Sequence, residues 1–130
     1  MIRRTSREEV AQQGFRPEEH TTAFNYDGDW WCYQYGDRVV AVLCVRMVNK
    51  KLIITSVYTL PEFRGRGIMH NLVNFVSNSV YKRSVVYAHC LISSKRIFED
   101  CGYSHYHTVP YKHGTQYFMK KEAIASGENS

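Results

Sequence analysis

The chain has no long hydrophobic run, no cysteine pair at metal-binding spacing, no internal repeat, and no low-complexity segment outside its last six residues. The longest strongly apolar run, Val39–Val45, spans seven residues. A membrane helix needs about 20, so the sequence excludes one. No apolar stretch follows Met1-Ile2-Arg3-Arg4, and no signal peptide is expected. No pair of the four cysteines, Cys32, Cys44, Cys90 and Cys101, has the two-to-four-residue spacing of a zinc-type site, and no structural metal is expected. Nor do the six histidines supply a ligand pair, although His105 and His107 are expected to share one strand face. Cys32 and Cys44 lie in strand-like runs and read as small buried hydrophobes. The expectation is a reduced, cytoplasmic protein. Both the dinucleotide fingerprint Gly-x-Gly-x-x-Gly and the phosphate loop Gly-Lys-Ser/Thr are missing. Acidic residues are also scarce, 12 against 17 basic, giving a net charge of +5. That balance favours an anionic partner, either nucleic acid or a phosphorylated cofactor.

What is present suits one small α/β domain over 1–124, with 125–130 as a small, polar tail. Hydrophobic residues make up 44% and aromatics 14%, enough to build a core. The first 28 residues are polar. Thr5 or Ser6 can cap a short helix carrying Glu8 and Glu9 in its first turn and ending at Gly14. Pro17-Glu18-Glu19 reads as a second helical start. Three strands follow, Trp30–Tyr35, Arg38–Met47 and Leu52–Tyr58, joined by Gly36-Asp37 and Asn49-Lys50-Lys51 turns into an antiparallel meander. The middle strand is apolar enough to be buried on both faces. Alternation places Trp31, Tyr33 and Tyr35 on one face of the first strand and Trp30 with Cys32 on the other. After Pro61 the period becomes helical, with Ile68, Leu72, Val76 and Val80 in one stripe. Asn71, Asn74, Ser77 and Asn78 fall mainly outside it. A strand at Val85–His89 is followed by a helix from Ser93 or Ser94 to about Cys101, closed by Gly102. Strands Tyr103–Val109 and Tyr117–Lys121, with a turn around Lys112-His113-Gly114, complete the pattern.

Between the third strand and the first long helix lies Arg64-Gly65-Arg66-Gly67. Amides at a helix N-terminus lack intrahelical acceptors, and glycines let an anion approach them closely. Arg64 and Arg66 add charge and multiple donors. Chemically this is a pyrophosphate cradle; the same residues can also form a ligand-free basic turn.

The segment Val57-Tyr58-Thr59-Leu60-Pro61-Glu62-Phe63-Arg64-Gly65-Arg66-Gly67-Ile68 resembles the acyl-CoA-binding motif of the GCN5-related N-acetyltransferase (GNAT) superfamily, Arg/Gln-x-x-Gly-x-Gly/Ala after a strand. Met69 stands where Gly or Ala is usual. Downstream, Ser94 to Tyr103 is similar to the family's later helix, Ala-x-x-x-Tyr-x-x-x-Gly-Phe, with Gly102-Tyr103 matching its end and Phe98 in the tyrosine position. The resemblance runs from Trp30 to about Lys121, with a front end shorter than the usual strand plus two helices. It implies a mixed, mostly antiparallel sheet flanked by helices. It also implies a V-shaped opening between Leu52–Thr59 and Val85–His89 that takes the pantetheine arm of acetyl-CoA or another short acyl-CoA. Cofactor contacts are then expected from Tyr58, Thr59, Arg64, Gly65, Arg66, Gly67, Ile68, Met69, Ser94 and Phe98, with Phe98 toward the sulfur.

The implied activity is direct acetyl transfer to a primary amine. A backbone amide at Tyr58 or Thr59 would polarise the thioester carbonyl. His89 and Tyr106 are the side chains chosen for proton movement, from a wider set holding Glu62, His105 and His107 as bases and Ser94, Cys101 and Tyr103 as acids. Phe98 has no proton to give a departing thiolate, so a GNAT-like binding or regulatory module without chemistry is the first alternative. Basic charge and the Trp30–Tyr35 aromatics suggest another, acetylation of a nucleic acid or aminoacylated RNA. The acceptor and the oligomeric state are left open.

Overall fold

The computed structural model describes residues 1–13, 15, 27–111 and 114–124. Three strands, β2 (Asp29–Tyr35), β3 (Arg38–Val48) and β4 (Lys51–Thr59), form the expected meander. A short strand, β1 (Ile2–Thr5), precedes them and pairs antiparallel with β2, Ile2 opposite Tyr33 and Thr5 opposite Trp30. The sequence reading assigned no strand there. With four residues and one aliphatic side chain, β1 has too little pattern to read locally, and its conformation comes from pairing with β2. Ser6 caps α1 (Arg7–Gln12) by accepting the Glu9 N–H at 3.0 Å. The Gly14 stop, the Pro17-Glu18-Glu19 start, the Lys112-His113 turn and the 125–130 tail lie outside the described residues.

The remaining elements are α2 (Ile68–Phe75), β5 (Val86–Cys90), α3 (Ile92–Asp100), β6 (Ser104–Tyr111) and β7 (Gly114–Lys121). The seven strands form one sheet in the order β1-β2-β3-β4-β5-β7-β6. Only the β4–β5 pair is parallel; α2 supplies the crossover such a pair needs. This is the mixed, mostly antiparallel α/β fold expected.

The apolar periods explain the layers. Leu72, Val73 and Val76 from the α2 segment and Phe98 from α3 meet Trp31, Leu43, Ile54, Val86, Ala88 and Met119 on one sheet face. The other face buries Val10 of α1 against Trp30, Cys32, Val42, Cys44 and Tyr58. β3 is therefore buried on both sides, as its run of Val39–Val45 implies. Trp30 and Trp31, 1% and 8% exposed, belong to these two cores, so neither is available to stack on a base.

The α2 stripe changes after Phe75. Val76–Val80 is a wider π-helical turn, with the Tyr81 amide donating to the Val76 carbonyl five residues back at 3.0 Å. The extra residue carries Val80 off the stripe, where it is 39% exposed. It brings Ser77 inward, against expectation, to share a 2.6 Å hydrogen bond with the buried Tyr103 hydroxyl.

A second irregularity sits in β4. Val42 pairs with Tyr58 and Cys44 with Thr55, so two residues of β4, Ser56 and Val57, oppose Leu43 alone. Ser56 has φ 57, in the left-handed region, and is buried. This is a β-bulge, which bends its strand and increases its twist. The β4–β5 ladder stops just before it, at Ile54 opposite Ala88.

Two substitutions test this packing. Phe98 is fully buried and meets the Tyr103 ring edge-on at 5.1 Å. Phe98→Tyr adds a hydroxyl to that apolar cluster and is expected to lower unfolding stability by about 1–3 kcal/mol in urea melts. At the N-terminus, Arg3 binds both oxygens of Glu9 at 3.1 and 2.6 Å, and the Thr5 hydroxyl donates to Glu9 at 2.5 Å. The Arg3 bonds, then Thr5, hold the Glu9 carboxyl down at about 2, from 4.5. A depressed folded-state pKa means the stabilisation is full above pH 4.5 and disappears as pH falls toward 2. Glu9→Gln should flatten the acid side of the stability profile over that window while changing little between its own pH 6 and 8 values.

Candidate functional site

Beyond Ile54 and Ala88, β4 and β5 part, and a cleft of about 470 Å³ opens between β4, α2 and α3. Its walls are Val57, Tyr58 and Thr59 from β4, Ile68, Met69 and His70 from the first turn of α2, and Ser93, Ser94 and Ile97 from α3. Phe63, Arg64, Gly65 and Gly67 close one end.

Local sequence builds that end. Pro61 opens a one-turn 3-10 helix, Pro61–Phe63, and ends β4. Gly65 and Gly67 then have φ 78 and 76, which side-chain-bearing residues adopt at a cost. At both glycines the position of a Cβ faces open space, so the backbone is bare toward the cleft mouth. Gly67 caps α2; the first hydrogen bond of the helix runs from the Asn71 amide to the Gly67 carbonyl at 3.1 Å. Helix geometry leaves the amides of Gly67, Ile68, Met69 and His70 without intrahelical acceptors. They carry the positive end of the helix dipole. A pyrophosphate needs this kind of donor set, and Met69 in place of a smaller residue leaves it intact because the donors are backbone amides and the Met69 side chain is buried. The residues fit an acyl-CoA.

Arg64 donates to the Thr59 carbonyl at 2.9 Å and lies 5.4 Å over the Tyr58 ring. Arg66 lies 4.9 Å over the Phe63 ring. It is exposed and does not line the cleft. The strand pattern also separates the two amides considered for the thioester carbonyl. The Leu60 amide donates to Val40 on β3, and Tyr58 pairs with Val42 in the same ladder. Strand alternation therefore turns the Tyr58 backbone toward β3 and the Thr59 backbone toward the cleft.

Among the residues singled out from sequence, Tyr58, Thr59, Arg64, Gly65, Gly67, Ile68, Met69 and Ser94 come together around the cleft, and Arg66, Phe98, His89 and Tyr106 do not line it. Phe98 is corrected most clearly. The turn of α3 that presents Ser93, Ser94 and Ile97 to the cleft sends Phe98 into the core, so its ring cannot contact a cofactor there. Val57, Phe63, His70, Ser93 and Ile97 were missed. His70 follows the glycines in the first turn of α2, and Ile97 lies one helical turn after Ser93 and Ser94, so helical spacing carried that signal. His70 shares a 2.9 Å contact with Asp100, whose carboxyl is held below its ordinary range by His70 and Arg96.

His89 and Tyr106 lie on the sheet face opposite α2 and α3. His89 stacks on Phe118 with ring centres 4.0 Å apart. Burial, with Arg46 nearby, lowers its pKa and keeps the ring neutral near pH 7. His105 and His107 do not share a face. A bulge at Tyr106 sets His105 opposite Met119 and His107 opposite Phe118, neighbours on β7 that face opposite ways. Glu62 is held ionised by its own backbone amide and Arg38, which makes it a weak base. Tyr103 is buried and bonded to Ser77, out of reach as an acid. All four thiols are buried, and burial pushes Cys44 and Cys90 up to about 12 and Cys101 to about 11. None is a nucleophilic thiolate at neutral pH. Among the described residues no cluster of His, Cys, Asp and Glu could hold a metal ion.

Comparison with known proteins agrees with this geometry. The family model described as the acetyltransferase (GNAT) family matches residues 2–103. Escherichia coli ElaA shares the fold with a TM-score of 0.72 at 13% identity, over 94% of this chain and 99% of its own. An aminoglycoside 6'-acetyltransferase type Ii gives 0.64 at 18% identity, over 91% and 77%. A Bacillus anthracis acetyltransferase solved in complex with acetyl coenzyme A gives 0.62 at 8% identity, over 77% and 65%. No curated protein matches by sequence. With the family pattern spanning most of the chain and the cleft built where that pattern requires, the protein belongs to the acetyltransferase (GNAT) family.

Proposed function

We propose that this chain transfers an acetyl group, or another short acyl group, from acyl-CoA directly to a primary amine. One observation carries the reading: the cleft between β4, α2 and α3 has the bare Gly65–Gly67 backbone and the first turn of α2 at its mouth. The acetyl-CoA in the Bacillus anthracis structure of the same fold supports the choice of cofactor. When bound, that cofactor supplies an acyl thioester. The α2 amides with Arg64 would hold its phosphates, Arg66 would add charge from outside, and the Thr59 amide would polarise the thioester carbonyl. Positioning contributes most of the rate, because amine and thioester held together react as one molecule.

The chain's own groups then handle protons. Neutral His89, beside the point where β4 and β5 separate, takes the proton from the amine. Half-buried Ser94, one of the two α3 serines on the cleft wall, would replace the absent tyrosine as hydrogen-bond donor to the leaving sulfur. Direct transfer is favoured over an acyl-enzyme because every cysteine is buried and poorly ionised. The separate, unpaired thiols also support a cytoplasmic location. A module without chemistry is the second reading, favoured by Phe98 in the tyrosine position and inside the core. Release of free CoA that depends on added amine separates the two.

Titration calorimetry with CoA tests the cradle. Arg64→Glu with Arg66→Glu should weaken binding at least about tenfold, roughly 1.4 kcal/mol. Equal affinity in variant and wild type would remove the phosphates from this loop. The pH profile tests His89. Its pKa is lowered from 6.5, so kcat/KM should fall on an acid limb centred below 6.5, and His89→Gln should lose that limb along with most of the rate. Folding also favours the neutral ring, so wild-type stability should decline as pH drops through the same range.

A further inference from the structure

β5, β7 and β6 present a second surface on the face away from α2 and α3. In one row across the sheet, Tyr87 lies opposite Lys120; in the next, His89 lies opposite Phe118, which lies opposite His107. The bulged Tyr106 joins the rows, its ring 6.1 Å from Tyr87 and 6.3 Å from Phe118. His107 meets Phe118 edge-on at 5.4 Å. These rings touch one another, and none belongs to either buried core. Tyr106 is 51% exposed.

The charge beside them is positive. Lys51 Nζ lies 5.0 Å and Lys120 Nζ 5.8 Å from the Tyr87 ring centre. Lys120 has an exposed partner in Glu122 at 3.3 Å, a pair that water screens. Lys51 makes no ion pair among the described residues. The surface reaches the end of the β4–β5 ladder, because His89 immediately follows Ala88, the last β5 residue paired with β4.

We propose that this surface selects the acyl acceptor, and that the acceptor is an amine on a planar ring that also carries an anionic group. This rests on the amine-transfer reading above. The ring lies on Tyr106 and Phe118, where offset and edge contacts with π faces are available. The amine sits at His89, and the anion reaches Lys51 and Lys120. Strand geometry sets the span. His89 and Tyr87 are two residues apart, roughly 7 Å along β5; Lys120 is level with Tyr87, and Lys51 lies beyond it, before the Leu52–Val86 pair. An α-amino acid, with its charges on one carbon, is too short for this. A ring with amine and acid at opposite ends has the right reach. A linear polyamine would place its second cation against the lysines.

The test uses the intact chain, acetyl-CoA and four probes: 4-(aminomethyl)benzoate, its phosphonate analogue, benzylamine and 1,6-diaminohexane. The kcat/KM values should rank the two anionic rings first and the diamine last, with at least a tenfold spread. The two anions separate a carboxylate preference from a phosphate one. Lys51→Met with Lys120→Met should reduce the benzoate-to-benzylamine ratio at least fivefold, and added salt should do the same in wild type. Tyr106→Leu, an exposed position that folding tolerates, should raise KM for both ring amines relative to the diamine. A diamine preference, or an unchanged ratio in the lysine variant, overturns the proposal. If no amine releases CoA, the transfer reading has failed, and calorimetry with 4-(aminomethyl)benzoate alone then decides the surface. Binding that weakens in both variants upholds the surface, and no binding overturns it.

Discussion

One extra residue in β4 organises the molecule. Regular pairing would run β4 alongside β5 to its end and leave no space between them. At Ser56 and Val57 two residues oppose Leu43, the strand bends, and the parallel ladder ends at Ile54–Ala88. Ser56 adopts a left-handed conformation that costs a non-glycine residue of order 1–3 kcal/mol. Burial on both sides of β3 holds it there. β4 keeps its ladder to β3 beyond the bulge, so Thr59 remains fixed while its backbone faces the opening. The α2 amides then meet the same space because Pro61 stops the strand and Gly67 starts the helix a few residues later. Cleft and cradle thus share one cause, a strand that changes direction without losing its neighbour.

Much of this was legible in the residues. Val39–Val45 could only be a strand buried on both faces, and the change of period at Ile68 marked the helix that follows the loop. The Arg64–Gly67 wording located the glycine turn and helix start that close one end of the cleft, because glycine conformation and a helix start are local properties. What was hidden depended on partners distant in sequence. β1 exists through β2. The β4 bulge has no composition signal, since Ser56 is an ordinary strand-edge residue by type. The bulge at Tyr106 separates His105 from His107, which simple alternation had joined. Phe98 illustrates the limit best. An aromatic residue in a short amphipathic helix can face a cleft or a core, and one residue of helix phase decides between them.

The buried Phe98 also divides the site chemically. α3 offers the cleft two serine hydroxyls and an aliphatic side chain, none of which ionises near neutrality. The imidazole on the cleft wall is that of His70 on α2, and His89 lies on the opposite face of the sheet. In the proposed reaction the acyl donor would be held by backbone amides with Arg64 and Arg66, and the proton would be taken by His89.

The β4–β5 seam has a mechanical consequence. Three ladder positions, Leu52–Val86, Ile53–Tyr87 and Ile54–Ala88, are all that join the four-stranded plate β1–β4 to the three-stranded plate β5–β7–β6 within the sheet. Every other pair of neighbouring strands shares four positions or more. The seam is the most compliant line in the sheet, and α2 and α3, which pack against each other across it, act as the brace. Strain applied across the two plates concentrates at Ile54 and Ala88, the root of the cleft, as stress concentrates at the tip of a crack.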